Sequence, residues 1–347
     1  MKYKASMVVE NPLYLENKWF SSDPNVIRDN QNACYISLRE VLWKYGIDLA
    51  TEDINPVGGS DIVIRLNVGR KVYSRSSQQK SYLIITEPEF VIPGNWDRAN
   101  HESFDRVFTW NEMLVDNNKY FLLRMAYKFG LDRARVNMAE RKLCTMIAGY
   151  KFARHRNELY SERLAAINWF TKNHPEDFEL YGAGWPSYRL PFLGRGKTSL
   201  CGFIATRVPK SILKMVFPRN TAYRGGVKSK HETLRKYRFS ICYENMKDMP
   251  GYITEKIFDS FSAGCIPIYW GASNITELIP SNCFIDKRKY VNYEELCRYI
   301  SGIDEKSYGK YIDNIESFLN SDSARIFSAD HFAQTLSGYI LKDLRLV

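Results

Sequence analysis

Short apolar runs alternate with amphipathic stretches along most of the chain. Residues 4–9, 47–50, 61–66 (DIVIRL), 81–86 (SYLIIT) and 106–110 (RVFTW) are short and rich in β-branched or aromatic side chains, as strands are. Residues 33–45 (ACYISLREVLWKY) repeat apolar positions at helical spacing, and Gly46 closes that run. Residues 11–31 are polar and punctuated, which predicts a loop close to a substrate. The mixed, charged segment 131–140 marks a boundary. A second run then begins with a strand at 142–150. A helix follows over 158–170, with Leu159, Leu164, Ile167 and Phe170 on one face, then a strand over 178–185 that runs into a glycine turn. The clearest unit comes next: a buried strand over 238–243 (RFSICY), a polar loop over 244–251 (ENMKDMPG) and a helix that starts at Glu255. Thr254 caps that helix, Gly264 ends it, and a second buried strand fills 265–270. Segments 274–285 and 293–300 continue the alternation, and the remainder is helical in pattern, for example over 311–319. Strand–helix alternation of this kind predicts open parallel sheets in an α/β protein. The chain divides into residues 1–140, residues 141–320, and a terminal helix within 321–347 that crosses back to the first part.

Composition narrows the function. At 347 residues the chain is long enough for two sizeable cores. Its net charge of +10 suits nucleic acid, an anionic membrane surface or an anionic small substrate. No helix-turn-helix, zinc-finger or RNP signature is present, so nucleic acid is set aside. The seven cysteines are scattered and form no CxxC pair, which predicts reduced, buried thiols in a cytoplasmic protein. The first residues hold no apolar run of signal-peptide type, and no stretch approaches the roughly 20 apolar residues of a membrane span. The five histidines form no HxxxH or HExxH, and Asp-x-Asp does not occur, so a metal site is not expected. Gly182 and Gly184 make a GxG without a third glycine, because position 187 is Ser; a nicotinamide-dinucleotide site is rejected.

Candidate chemistry concentrates where a strand meets a helix. Glu244, Asn245, Tyr252, Thr254, Glu255 and Lys256 all lie in one loop and the first turn after it. A lysine in a first turn opposes the helix dipole, which favours anions there. A bound diphosphate would neutralise both; a capping box with a solvated lysine is the other reading. Arg156 lies between a strand end and a helix start, a phosphate position. Glu87 ends the strand 81–86 and precedes Pro88, which keeps it extended, at a strand's carboxyl end facing the crevice. Glu89 competes with it. Lys228, Lys230, Arg235 and Lys236 either favour a diphosphate or form a solvated helix face.

Three segments, YEN at 243–245, YITEKI at 252–257 and GCIPIYWG at 264–271, occur in order and close together. They resemble the donor-site pattern of the bacterial-type α-1,3/1,4-fucosyltransferases of glycosyltransferase family 10. Tyr243 stands where Phe is usual and Met246 where Ser is usual. The resemblance implies a GT-B glycosyltransferase fold, two Rossmann-like domains facing a cleft, with the acceptor on the first and the nucleotide sugar on the second. It implies inverting transfer of L-fucose from GDP-fucose to a glycan hydroxyl, in an α-1,3-type linkage to a lactosamine-like or lipopolysaccharide O-antigen acceptor, oligosaccharide or glycolipid. By the same resemblance Glu87 is the general base, and Arg156 and Lys256 balance charge on the leaving GDP. Glu244 or Glu255 stabilises the positive character of the fucose ring or holds sugar and ribose hydroxyls, Asn245 belongs to the donor site, and Tyr252 packs on the nucleotide. No cofactor is required, and a divalent cation is at most stimulatory. The chain is expected in the cytoplasm, with peripheral contact to an anionic membrane. Transfer from another GDP-sugar stays open, as does a basic nucleotide- or anion-binding protein without chemistry.

Overall fold

A computed structural model describes residues 1–9, 11–27, 29, 31–69, 76, 78–129, 137–185 and 221–347. Most of the expected boundary segment 131–140 and the cysteine at position 201 lie outside the described residues. The first sheet contains β1 (Tyr3–Val8), β2 (Ile47–Thr51), β3 (Ile62–Leu66), β4 (Lys80–Ile85), β5 (Arg106–Thr109) and β6 (Tyr120–Leu122). Their order is β2-β1-β3-β4-β5-β6, all parallel. Helix α1 (Ala33–Lys44) forms the crossover from β1 to β2. The second sheet contains β7 (Lys142–Ile147), β8 (Phe178–Tyr181), β9 (Tyr237–Tyr243), β10 (Ile266–Trp270) and β11 (Ile285–Asp286) in the order β11-β10-β9-β7-β8, again parallel. Its helices are α2 (Tyr160–Asn173), α3 (Lys230–Leu234), α4 (Glu255–Ser262), α5 (Ile275–Leu278) and α6 (Tyr293–Ser301). Three more close the chain: α7 (Glu305–Leu319), α8 (Asp322–Arg325) and α9 (Ala329–Asp343).

Both sheets reverse their winding internally, between β1 and β3 in the first and between β7 and β9 in the second. Such switch points open a crevice beyond the strands' carboxyl ends, where α/β proteins bind ligands. The polar loop after β9 therefore leaves the middle strand of its sheet beside that crevice.

Helix α9 belongs to the first sheet, although it ends the chain. Phe332, Leu336 and Ile340 share a core with Leu38 and Leu42 of α1 and with Met7, Leu49 and Ile64 of the strands. Burying such side chains is worth about 1.5–3 kcal/mol each. At its far end Asp343 accepts Arg106 Nε at 2.7 Å and Tyr82 O–H at 3.0 Å. The return is fixed at Tyr127, whose N–H donates to Phe327 O at 2.7 Å and whose carbonyl accepts Ala329 N–H at 3.0 Å.

The structure departs from the pattern in α2, which starts at Tyr160 and runs to Asn173. Leu164 is only half-buried, and Arg163 occupies the buried face with Tyr160, Ile167 and Phe170. The six described cysteines are buried and free.

Candidate active site

A cavity of about 670 Å³ lies between the two sheets. Its first-domain wall includes Trp19, Gln31, Leu66, Thr86, Glu87 and Met125; its second-domain wall includes Gly149, Lys151, Arg163, Asn245, Thr254 and Lys256. Residues after β4 thus face residues after β7 and β9, as the two switch points dictate.

The second-domain wall is built around Glu244. Its carboxylate is fully buried at the end of β9. Oε1 accepts the Thr254 N–H at 2.8 Å, and Oε2 accepts the Thr254 hydroxyl at 2.7 Å and Lys256 Nζ at 3.0 Å. Lys256 Nζ also donates to Thr254 Oγ1 at 2.8 Å. One carboxylate therefore holds the α4 N-cap and the lysine beside it. The lysine that opposes the helix dipole is balanced from below by Glu244. Burial alone would lower the Lys256 ammonium, but Glu244 and Glu255 outweigh it and hold the pKa above the usual lysine range. Its side chain remains 23% exposed, on the cavity wall. Gly271 is required for this arrangement: a Cβ there would come within 2.5 Å of Glu244 Cγ and 2.4 Å of the Tyr269 hydroxyl.

Glu255 lies on the same wall and is 37% exposed along its side chain. Burial pushes its carboxyl up, but Lys256 and Lys230 overcome this and hold it well below the usual range. Asn245 is fixed by Arg163, whose Nη2 donates to Asn245 Oδ1 at 3.0 Å and to Tyr243 O at 2.6 Å. Arg163 also lies over the Tyr160 ring, 5.1 Å from its centroid. The Tyr252 ring is buried against Trp110 of the first domain, centroids 4.6 Å apart.

The first-domain wall presents Glu87, half-buried between β4 and Pro88. Its N–H donates to Asn67 Oδ1 at 3.3 Å, and its carbonyl accepts Asn95 Nδ2 at 3.2 Å. Burial raises its carboxyl pKa, Lys256 and Lys151 pull it back, and the net shift is upward. Glu89 is 58% exposed, outside the cavity lining, and lies 3.8 Å from His155 Nε2 of the second domain. The structure thus separates the two glutamates that the sequence left in competition.

Of the residues singled out from the sequence, Glu87, Asn245, Tyr252, Glu255 and Lys256 line this one cavity. Glu244 lies behind the wall as its anchor. Arg156 is exposed and is not part of the lining; within the same β7–α2 connection Ala148, Gly149 and Lys151 line the cavity, and Lys151 is the cation among them. Lys230, for which the sequence leaves a diphosphate contact or a solvated face, lines the cavity and is only 13% exposed. Arg163 was not singled out. Its signal is a charged residue in register with Tyr160, Ile167 and Phe170 on an apolar helix face.

Two facing parallel sheets with the cleft between them have the GT-B arrangement. The whole fold superposes on the Anabaena protein HepE, solved with UDP and glucose, with a TM-score of 0.57 at 8% identity, covering 98% of this chain and 100% of that one. It superposes on a crystal structure of an α1,3-fucosyltransferase with a TM-score of 0.53 at 18% identity, covering 98% and 89%. Residues 215–329 match glycosyltransferase family 10 (fucosyltransferase), C-terminal part, which bears out the resemblance carried by the YEN, YITEKI and GCIPIYWG segments. The chain is 33% identical over 112 residues to the α-(1,3)-fucosyltransferase FucT of Helicobacter pylori, a match that covers 32% of this chain and 22% of that protein. The chain thus spans about a fifth of that relative's length.

Proposed function

We propose that this protein transfers L-fucose from GDP-fucose to a glycan hydroxyl, with inversion at the anomeric carbon. One observation carries the reading. Glu87, a carboxylate of raised pKa on one domain, and Lys256 and Glu255 on the other line the same cavity. The acceptor hydroxyl attacks the anomeric carbon as Glu87 takes its proton. The bond from that carbon to the β-phosphate oxygen breaks, and its electron pair leaves with GDP. Lys256, aided by N–H groups at the start of α4, balances the charge that develops there. Glu255 stabilises the positive character of the sugar ring or holds its hydroxyls. Charge balance by side chains makes the reaction independent of metal, with divalent cations at most stimulatory, so EDTA-treated enzyme is expected to retain activity. Activity restored only by manganese would assign part of that charge to a cation.

An α-1,3-type linkage to an oligosaccharide or glycolipid acceptor of lactosamine or lipopolysaccharide type belongs to the same reading. So does a cytoplasmic location with peripheral contact to an anionic membrane, supported by the net charge of +10. No helix among the described residues is long and apolar enough to cross a membrane. A panel of GDP-fucose, GDP-mannose and UDP-sugars, scored for binding and for GDP or UDP release with a lactosamine acceptor, tests the proposal. Turnover is expected with GDP-fucose; turnover with another donor alone would replace the sugar, and binding without turnover would remove the chemistry.

A further inference from the structure

The donor-side wall holds an ion cluster of which the proposed reaction uses only Glu255. Lys230 Nζ donates to Asp259 Oδ2 at 2.8 Å and to Glu255 Oε1 at 3.3 Å. These carboxylates lie one turn apart on α4, so a single ammonium bridges them. The backbone N–H of the same lysine donates to Asp29 Oδ1 at 2.9 Å. Asp29 comes from the first domain, in the segment between β1 and α1, and holds a left-handed backbone at φ 60°. Asp29, Lys230, Glu255 and Asp259 all line the cavity.

The members differ in exposure. The Asp259 side chain is 7% exposed and that of Lys230 13%, whereas Glu255 keeps 37%. Asp259, the most buried of these three, anchors the ammonium at 2.8 Å, although burial pushes its carboxyl up to about 7. Glu255 is the member left open to a ligand. A glutamate on a helix surface has several rotamers, and an ammonium also held by Asp259 removes most of them.

We propose that Lys230 is a positioning residue: it fixes the Glu255 carboxylate toward a hydroxyl of the transferred sugar, and its backbone contact with Asp29 makes that placement depend on the docking of the two domains. This inference rests on the donor reading above. It separates the sugar from the nucleotide, since GDP lacks the group that Glu255 is held to meet.

The test compares Lys230→Met, Lys230→Arg and Glu255→Gln in the full chain. GDP and GDP-fucose binding are measured by calorimetry, and kcat and KM by GDP release. In Lys230→Met, GDP affinity is expected to stay within about twofold, while GDP-fucose affinity and kcat each fall about tenfold. Glu255→Gln is expected to match it, and the double variant to be no worse than either single one, because the two act as a unit. Lys230→Arg is expected to recover much of the loss, and Asp29→Ala to show the same split more weakly. Removing one cation from a buried cluster can prevent folding. The neutralised pair Lys230→Gln/Asp259→Asn then provides the same comparison and is expected to show the same split. Equal losses for GDP and GDP-fucose, or additive losses in the double variant, would overturn the inference while leaving the donor reading intact. A wild-type protein that neither binds nor turns over GDP-fucose would overturn both.

Discussion

Glu87 and Glu89 are two residues apart, and their surroundings differ in kind. Glu87 is half-buried on the cavity wall with its pKa raised by burial, while Glu89 is exposed beside His155. If Glu87 is the base, Glu87→Gln should lower kcat by about a hundred- to ten-thousandfold with GDP-fucose affinity unchanged. Glu89→Gln should retain most activity, and the reverse pattern would move the base two positions. The base works only when ionised, so kcat/KM should fall as pH drops through a pKa above the ordinary carboxylate value. That acid limb should vanish in the residual activity of Glu87→Gln. Lys256→Ala should weaken GDP binding by about ten- to hundredfold, the worth of a charge-assisted contact. It also leaves the buried Glu244 carboxylate without its cation, so part of its cost will appear as lower stability in denaturant. Arg156→Ala tests a different point. The residue lies outside the cavity lining, and a comparable loss of GDP affinity would mean that the β7–α2 connection closes on the diphosphate. Wild-type affinity would leave that charge to Lys256 and Lys151. Glu87, Glu255 and Lys256 were legible in the sequence because each stands at a strand or helix end, where side chains reach a crevice. The inward placement of Lys230 was not, because its partners lie 25, 29 and 201 positions away.

The connection from β9 to α4 shows how an element places a site. Gly251 sits at φ 79°, and a Cβ there would meet Trp110 O at 2.5 Å. Its N–H donates to Asn274 Oδ1 at 2.9 Å, and Asn274 Nδ2 donates to Glu112 Oε2 at 3.1 Å. The loop is thereby pressed against the end of β5, and Tyr252, Thr254 and Lys256 follow at once. Gly251→Ala should destabilise the fold by about 1–3 kcal/mol, read from the denaturation midpoint. The variant should also raise the KM for GDP-fucose under conditions where it is fully folded; unchanged KM would detach the loop's conformation from the donor wall. The strand–loop–helix–strand order here was plain in the sequence, with bounds close to those observed. Pro-Gly marked the turn, but not the first-domain carbonyl that excludes a side chain. Helix α2 was misread by one position on its face because apolar periodicity ranks Leu164 above Arg163. The arginine is nonetheless the residue that reaches Tyr243 and Asn245, exchanging hydration for hydrogen bonds to a strand end.

At the scale of the whole molecule, both parallel sheets were legible as alternation, and their facing arrangement came through the family resemblance. The helix that returns to the first core has a consequence for how the protein is made. Chains emerge from the ribosome amino end first, and domains generally fold in that order. Here the core that contains β1 to β6 lacks Phe332, Leu336 and Ile340 until the last helix is synthesised. The second sheet and its helices α2 to α7 are complete in sequence before that point. The half translated first is therefore expected to finish folding last, and must wait with apolar strands uncovered while its neighbour matures. Ribosome-stalled chains ending near residue 320, with enough linker to clear the exit tunnel, should resist protease in the second domain and be cut in the first. Chains extended past residue 343 should resist in both. Early protection of the first domain in the shorter chains would show that α9 only completes a structure already formed.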